Sequence, residues 1–164
     1  MSTKQVSLQR FSLTSSKSFE EVVAGLEAAV GCPKMDEFLR DVASTKTYAE
    51  LEKVIHKVIG ASGFMEFIRF DLGEIVRKER GKEAPKSLRL LIGNPLIMKQ
   101  MIEPVPDAGS YAPVTVLIDE REDGVHLSYD KMASFLAPYG SEEAMKVAQA
   151  LDSKIEALLT AAAN

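Results

Sequence analysis

Apolar residues along this chain switch between two periods, and the switches lay out its elements. Residues 6–13 alternate as a strand does, but in two phases. Val6 and Leu8 fall on one face, Phe11 and Leu13 on the other, so a bulge or twist is expected between them. Phe19, Val22, Val23, Leu26 and Val30 then recur at helical spacing. Ser18 with Glu21 supplies a capping box for that helix, and Gly31 a stop. A second helical stretch begins at Cys32-Pro33, with Met35, Phe38, Leu39 and Val42 as its expected buried stripe. Thr47 with Glu50 forms another capping box, and the stripe behind it is Tyr48, Leu51, Val54, Ile55, Val58 and Ile59.

At residues 64–70 the pattern turns to strand, an aromatic-rich run bounded by Gly63 and Gly73. Residues 72–80 read as a short basic helix closed by Gly81. Residues 87–92 read as a strand with Leu88, Leu90 and Ile92 inward and Arg89 outward. Gly93-Asn94-Pro95 ends it, and a short helix over 96–102 carries Met98 and Met101. Pro104, Pro106 and Gly109 predict an extended loop. Residues 114–119 and 125–129 predict an antiparallel hairpin across 120–124, with Asp123-Gly124 as the turn signal. Val125, Leu127 and Tyr129 share one face of its second strand, and His126, Ser128 and Asp130 the other. A short helix or turn at 131–136 follows. Ser141 then caps a long C-terminal helix with a stripe of Ala144, Ala148, Leu151, Ile155, Leu158 and Leu159. This order predicts an α+β fold: a mainly antiparallel sheet of about five strands, helices packed on one face, and a long C-terminal helix.

Composition narrows the picture without choosing an activity. The 164 residues predict a single domain, 1–164, and 46% hydrophobic with 27% charged residues is globular composition. A formal net charge of -4 argues against a nucleic-acid partner. The one cysteine cannot close an internal disulfide and suits a reducing compartment. Met1-Ser2-Thr3-Lys4-Gln5 is polar, and no apolar run approaches the length of a membrane span, so a cytoplasmic protein without a membrane partner is expected.

Candidate chemistry is sparse. Gly93-Asn94-Pro95 sits between a strand and a helix, where backbone N–H groups hold anions, yet it is equally an ordinary turn. It is neither a P-loop nor a dinucleotide fingerprint. His56 and His126 stand alone, with no further ligand at zinc spacing. Ser128, His126 and Asp130 lie on one side of a strand with about 7 Å between neighbours, too far apart for a triad. Cys32-Pro33 has the form of a thiolate ligand to haem iron, and Met98 and Met101 are soft ligands, but a buried Cys, an N-terminal Pro and core methionines have the same pattern. Cys32 is expected to be buried or partly buried and unreactive, because Lys34 is its only basic neighbour in sequence. Arg77, Lys78, Arg80 and Lys82, interleaved with Glu74, Glu79 and Glu83, read as a solvated helix face.

One combination of motifs is distinctive: Ser18-Phe19-Glu20-Glu21 opening the first helix, Leu90-Leu91-Ile92-Gly93-Asn94-Pro95, a short Met-containing helix, Pro113-Val114-Thr115-Val116, and Leu127-Ser128-Tyr129-Asp130. It resembles the family catalogued as domain of unknown function 302, most closely over residues 87–129. Two departures are Ala112-Pro113, where the family has Leu-Pro, and residues 33–60, which carry more helix than the pattern needs and read as a helical insertion. The resemblance implies a compact α+β domain, often dimeric, with no assigned reaction, and Gly93, Asn94, Pro95, Pro113 and Tyr129 match its motif positions. The resulting expectation is a binding or interaction module rather than an enzyme, with no catalytic or metal-ligating residue assigned. A homodimer through the sheet is expected, because both sheet faces carry apolar residues. The rival expectation is a small-molecule or cofactor-binding protein with its pocket at Gly93, Asn94, Pro95, Met98, Met101 and Tyr129. If that cofactor is haem, Cys32, His56 and His126 are the candidate ligands.

Overall fold

The computed structural model describes residues 3–81 and 84–164. Along the chain it contains β1 (Arg10–Ser15), α1 (Phe19–Ala29), α2 (Met35–Ser44), α3 (Tyr48–Val58), β2 (Met65–Asp71) and α4 (Leu72–Arg80). Then come β3 (Ser87–Gly93), α5 (Pro95–Ile102), β4 (Val114–Arg121), β5 (Gly124–Asp130), α6 (Met132–Leu136) and α7 (Glu142–Ala163). The strands form one sheet in the order β1-β5-β4-β3-β2, and every neighbouring pair is antiparallel. Strands β2 to β5 are thus a meander, with β1 added along β5. The fold is α+β, as the periodicity predicts.

Strand alternation sets the buried face. Leu88, Leu90 and Ile92 of β3, Val114, Val116 and Ile118 of β4, and Val125, Leu127 and Tyr129 of β5 are all buried. Val22 and Leu26 of α1 cover this face, with Ala148, Leu151, Ile155 and Leu159 of α7. Each large side chain so buried contributes roughly 1.5–3 kcal/mol. Small residues let the two helices meet: a Cβ on Gly25 would stand 3.3 Å from Ala162 Cα. Both capping boxes form as read, Ser18 with Glu21 and Thr47 with Glu50.

Several local expectations are corrected. β1 starts at Arg10, so Val6 and Leu8 lie outside it and no change of phase is needed. Phe11, Leu13 and buried Ser15 form its inner side. The bulge occurs in β2 instead, between Glu66 and Ile68, and takes Phe67 out of the alternation. Leu39 and Tyr48 are exposed, because α2 and α3 bury a narrower stripe around Phe38, Ile55 and Met65. The expected loop at 104–109 winds into a 3₁₀ turn, Pro106–Ser110, because Val105 and Ala108 pack into the core. The hairpin loop is only Glu122-Asp123. Gly124 already pairs with Arg121, at φ 135°, and a Cβ there would stand 2.6 Å from the Ser15 carbonyl oxygen.

Gly31 does more than stop a helix. Its N–H and that of Gly60 both donate to the Phe64 carbonyl, at 2.9 and 2.8 Å, and its own carbonyl accepts from Glu66 N at 2.8 Å. This clamp ties the ends of α1 and α3 to the start of β2. A Cβ on Gly31 would collide with the Val58 carbonyl oxygen and lie 2.8 Å from Gly60 N.

Candidate functional site

At the end of β3 the chain turns through Gly93 and Asn94 into α5. Asn94 caps that helix: its Oδ1 accepts from Leu96 N at 2.9 Å, while its Nδ2 donates to the Gly63 carbonyl at 2.9 Å. One side chain therefore holds its own turn and fastens it to the loop before β2. Pro95 occupies the first helical position, where a missing N–H costs nothing. Facing this turn is the Ala112-Pro113 peptide, which is cis and leads into β4.

Between them lies a cleft of about 100 Å³. Phe67, Gly93, Asn94 and Pro95 form one side, Ile97, Met98 and Met101 of α5 another, and Ala112, Pro113 and Val114 the third, with Leu151 of α7 closing it. Asn94 is the one polar side chain among these, both ends of its amide are engaged, and nothing in the lining ionises. Gly93 keeps the cleft open: a Cβ there would stand 3.5 Å from Pro113 Cβ and 3.6 Å from Phe67 Cε2, in ordinary contact.

The tertiary structure thus brings Gly93, Asn94, Pro95, Met98 and Met101 together. Tyr129, the sixth candidate, is not part of the cleft lining. It is 1% exposed and faces α7, where its hydroxyl donates to Asp152 Oδ1 at 2.7 Å and accepts from Met132 N at 3.1 Å. Asp152, 3% exposed, also accepts from Met132 N at 2.7 Å and Ala133 N at 3.1 Å, so it caps α6 from across the core. Burial, and then the Asp152 bond, push the Tyr129 phenol well above its ordinary value. Sequence reasoning missed Phe67, Ile97, Ala112, Pro113, Val114 and Leu151 as cleft residues. It also passed over Asp152, although a readable signal exists: position 152 falls within the apolar stripe of α7, where a carboxylate needs a buried partner.

The haem candidates go elsewhere, and none of Cys32, His56 and His126 lines the cleft. Cys32 is exposed, where its sequence context predicts a buried or partly buried thiol. Partial desolvation and the nearby Glu66 carboxylate still hold its thiol above the ordinary value. His56 is exposed on α3. His126 points to the uncovered sheet face, its Nε2 2.7 Å from Asp123 Oδ1. Asp130 on the same face is held by Arg10 at 2.6 and 2.9 Å, so Ser128, His126 and Asp130 form no triad. Among the described residues no three His, Cys, Asp or Glu side chains gather as a metal site. In the basic stretch Arg77 pairs with Asp71 and Lys78 with Glu74, while Lys82 and Glu83 lie outside the described residues, as do Met1 and Ser2 at the N-terminus.

The uncovered sheet face carries an apolar strip of its own. Ile68 and Phe70 are 46% and 44% exposed, Ile68 sits opposite Leu91, and Phe70 lies in line with Arg89 and then Leu117.

These features define an α+β domain with one antiparallel sheet, a helical layer on one face and a small apolar cleft at the sheet's end. Over residues 40–162 the chain matches the family described as "Domain of unknown function DUF302", and it belongs to that family. The matched stretch contains every residue of the cleft. A crystal structure of an uncharacterized conserved DUF302 protein from Bacillus stearothermophilus is similar, with a TM-score of 0.64 at 12% identity, covering 93% of this chain and 97% of that one. At that identity the likeness shows the fold alone. No curated protein matches the chain. Among the described residues no helix is long and apolar enough to cross a membrane.

Proposed function

We propose that this is a binding protein that takes a small apolar group into the cleft beside the Gly93-Asn94-Pro95 turn. The observation that carries the reading is convergence: residues singled out for their motif, and methionines singled out for their spacing, line one apolar hollow. Each methylene buried there would contribute about 0.8 kcal/mol, and selection would rest on shape. The test uses protein carrying ¹³C-methyl methionine, titrated with indole. The Met98 and Met101 methyl signals should shift, while those of Met65 and Met132, buried elsewhere, should stay. Gly93→Ala should fold normally and weaken indole by about fivefold, one methyl group's worth of lost space. Stationary Met98 and Met101 signals at saturating indole would defeat the reading.

A second reading, compatible with the first, is a homodimer through the uncovered sheet face. The exposure of Ile68 and Phe70 beside Leu91 and Leu117 supports it, and a two-fold pairing of the strip would bury all four on both copies. Sedimentation at micromolar concentration should give a dimer, and Leu117→Lys a folded monomer. A wild-type monomer throughout that range rules the pairing out.

A further inference from the structure

A second hollow adjoins the cleft, a groove of about 300 Å³ between α5 and α7. Ile97 and Leu151 line both, so the two share a wall. The rest of the groove differs in character from the cleft: it includes Gln100, Lys146 and Lys154 and no acidic residue. Lys146, Ala150 and Lys154 of α7 all line the groove, the two lysines about 12 Å apart along the helix axis, within reach of one head group through their long side chains. Both lysines are exposed, and among the described residues neither forms an ion pair. Asp152 lies between them in sequence but is buried toward the core, so in a chain with a net charge of -4 the groove lining carries two cations and no acid, a local reversal of sign.

We propose that cleft and groove together bind an amphipathic anion, an alkyl carboxylate whose chain end enters the cleft and whose head lies between Lys146 and Lys154. The proposal rests on the cleft reading above and adds the ligand's class to it. The division of labour follows from the lining. The cleft offers only apolar contact, so it favours a hydrocarbon end and gives a charged head nothing to pair with. The groove offers two flexible, hydrated ammonium donors at the surface, where a carboxylate keeps part of its water and gains charge-assisted hydrogen bonds. Ile97 and Leu151 sit where the chain would cross from one to the other. The head sets selectivity, and the tail supplies most of the affinity.

The experiment compares octanoate with octan-1-ol on the intact chain, read at the Met98 methyl signal. In ~25 mM salt octanoate should bind about tenfold more tightly than the alcohol, and the gap should narrow in ~500 mM salt as the surface charges are screened. The double variant Lys146→Gln, Lys154→Gln should abolish the gap and leave octan-1-ol binding unchanged. Equal binding of the two probes to the wild-type chain, with Met98 shifting, overturns the anionic head and leaves the apolar cleft standing. A Met98 signal that moves with neither probe overturns both. A preference for octanoate that survives in the double variant places the head elsewhere and also overturns the proposal.

Discussion

Asp152→Ala should lower stability by about 3–5 kcal/mol, because it removes the shared acceptor of a buried hydrogen-bond network and leaves a cavity. The carboxylate is held by one hydroxyl and two backbone N–H groups, from Tyr129, Met132 and Ala133. Alanine leaves the Tyr129 hydroxyl proton and the half-buried Ala133 N–H without their acceptor, and Met132 N with only its longer bond to the Tyr129 hydroxyl. Each unsatisfied donor costs about 1–3 kcal/mol, and the cavity left by the side chain adds to it. Asp152→Asn keeps one acceptor oxygen and should lose less, so the two variants should rank in that order. Urea denaturation of wild type and both variants measures it. A midpoint for the alanine variant within error of wild type would show that these short bonds contribute nothing net. The expected melting shift is about 10 °C for a chain of this size.

Gly31→Ala should be worse still: about 4 kcal/mol or more, with loss of soluble protein at 37 °C as the first sign. The cause is steric, since Gly31 needs no left-handed backbone angle and its φ is not positive. A methyl group would occupy the space of the Val58 carbonyl, and it cannot turn aside, because the obstacles are backbone atoms at the end of α3 and just beyond it. Relieving the clash means opening the bonds from Gly31 and Gly60 to Phe64, which anchor β2 to both flanking helices. Gly93→Ala is the natural control. The same chemical change there meets only atoms in ordinary contact and should leave the melting temperature within about 2 °C. If Gly31→Ala melts alongside Gly93→Ala, the clamp is softer than its geometry implies.

Asp152 and Gly31 also mark the limit of what local sequence determines. Gly31 reads correctly as the end of a helix, since the break in α1's apolar period is local. Its tighter constraint comes from Val58 and Gly60, which reach it only after α2 and α3 have folded back. Asp152 sits in a stripe whose apolar members all read correctly, and its partner Tyr129 was recognised as a motif residue. That the two meet depends on how α7 crosses the sheet. Sequence alone therefore puts Tyr129 in the pocket, whereas its hydroxyl is committed to the core.

The candidate site divides in the same way. The run from Gly93 to Met101 was legible because it is one local structure: a strand end, an Asn cap with Pro at the first helical position, and one short helix, all set by neighbours in sequence. Simple alternation along β2 would put Phe67 on a sheet face, and the bulge takes it to the cleft instead. Leu151 read only as core. That it closes the cleft, and that Lys146 and Lys154 border the groove beyond it, depends on the packing of α7 against α5. Periodicity and capping by themselves determined the elements, the inward face of β3 to β5, the antiparallel hairpin and the α+β class, because side-chain direction follows directly from backbone repeat. Tertiary structure alone decided the strand order, which face stays uncovered, the exposure of Cys32 and the existence of the cleft. These depend on contacts between residues tens of positions apart, whose geometry no local repeat encodes.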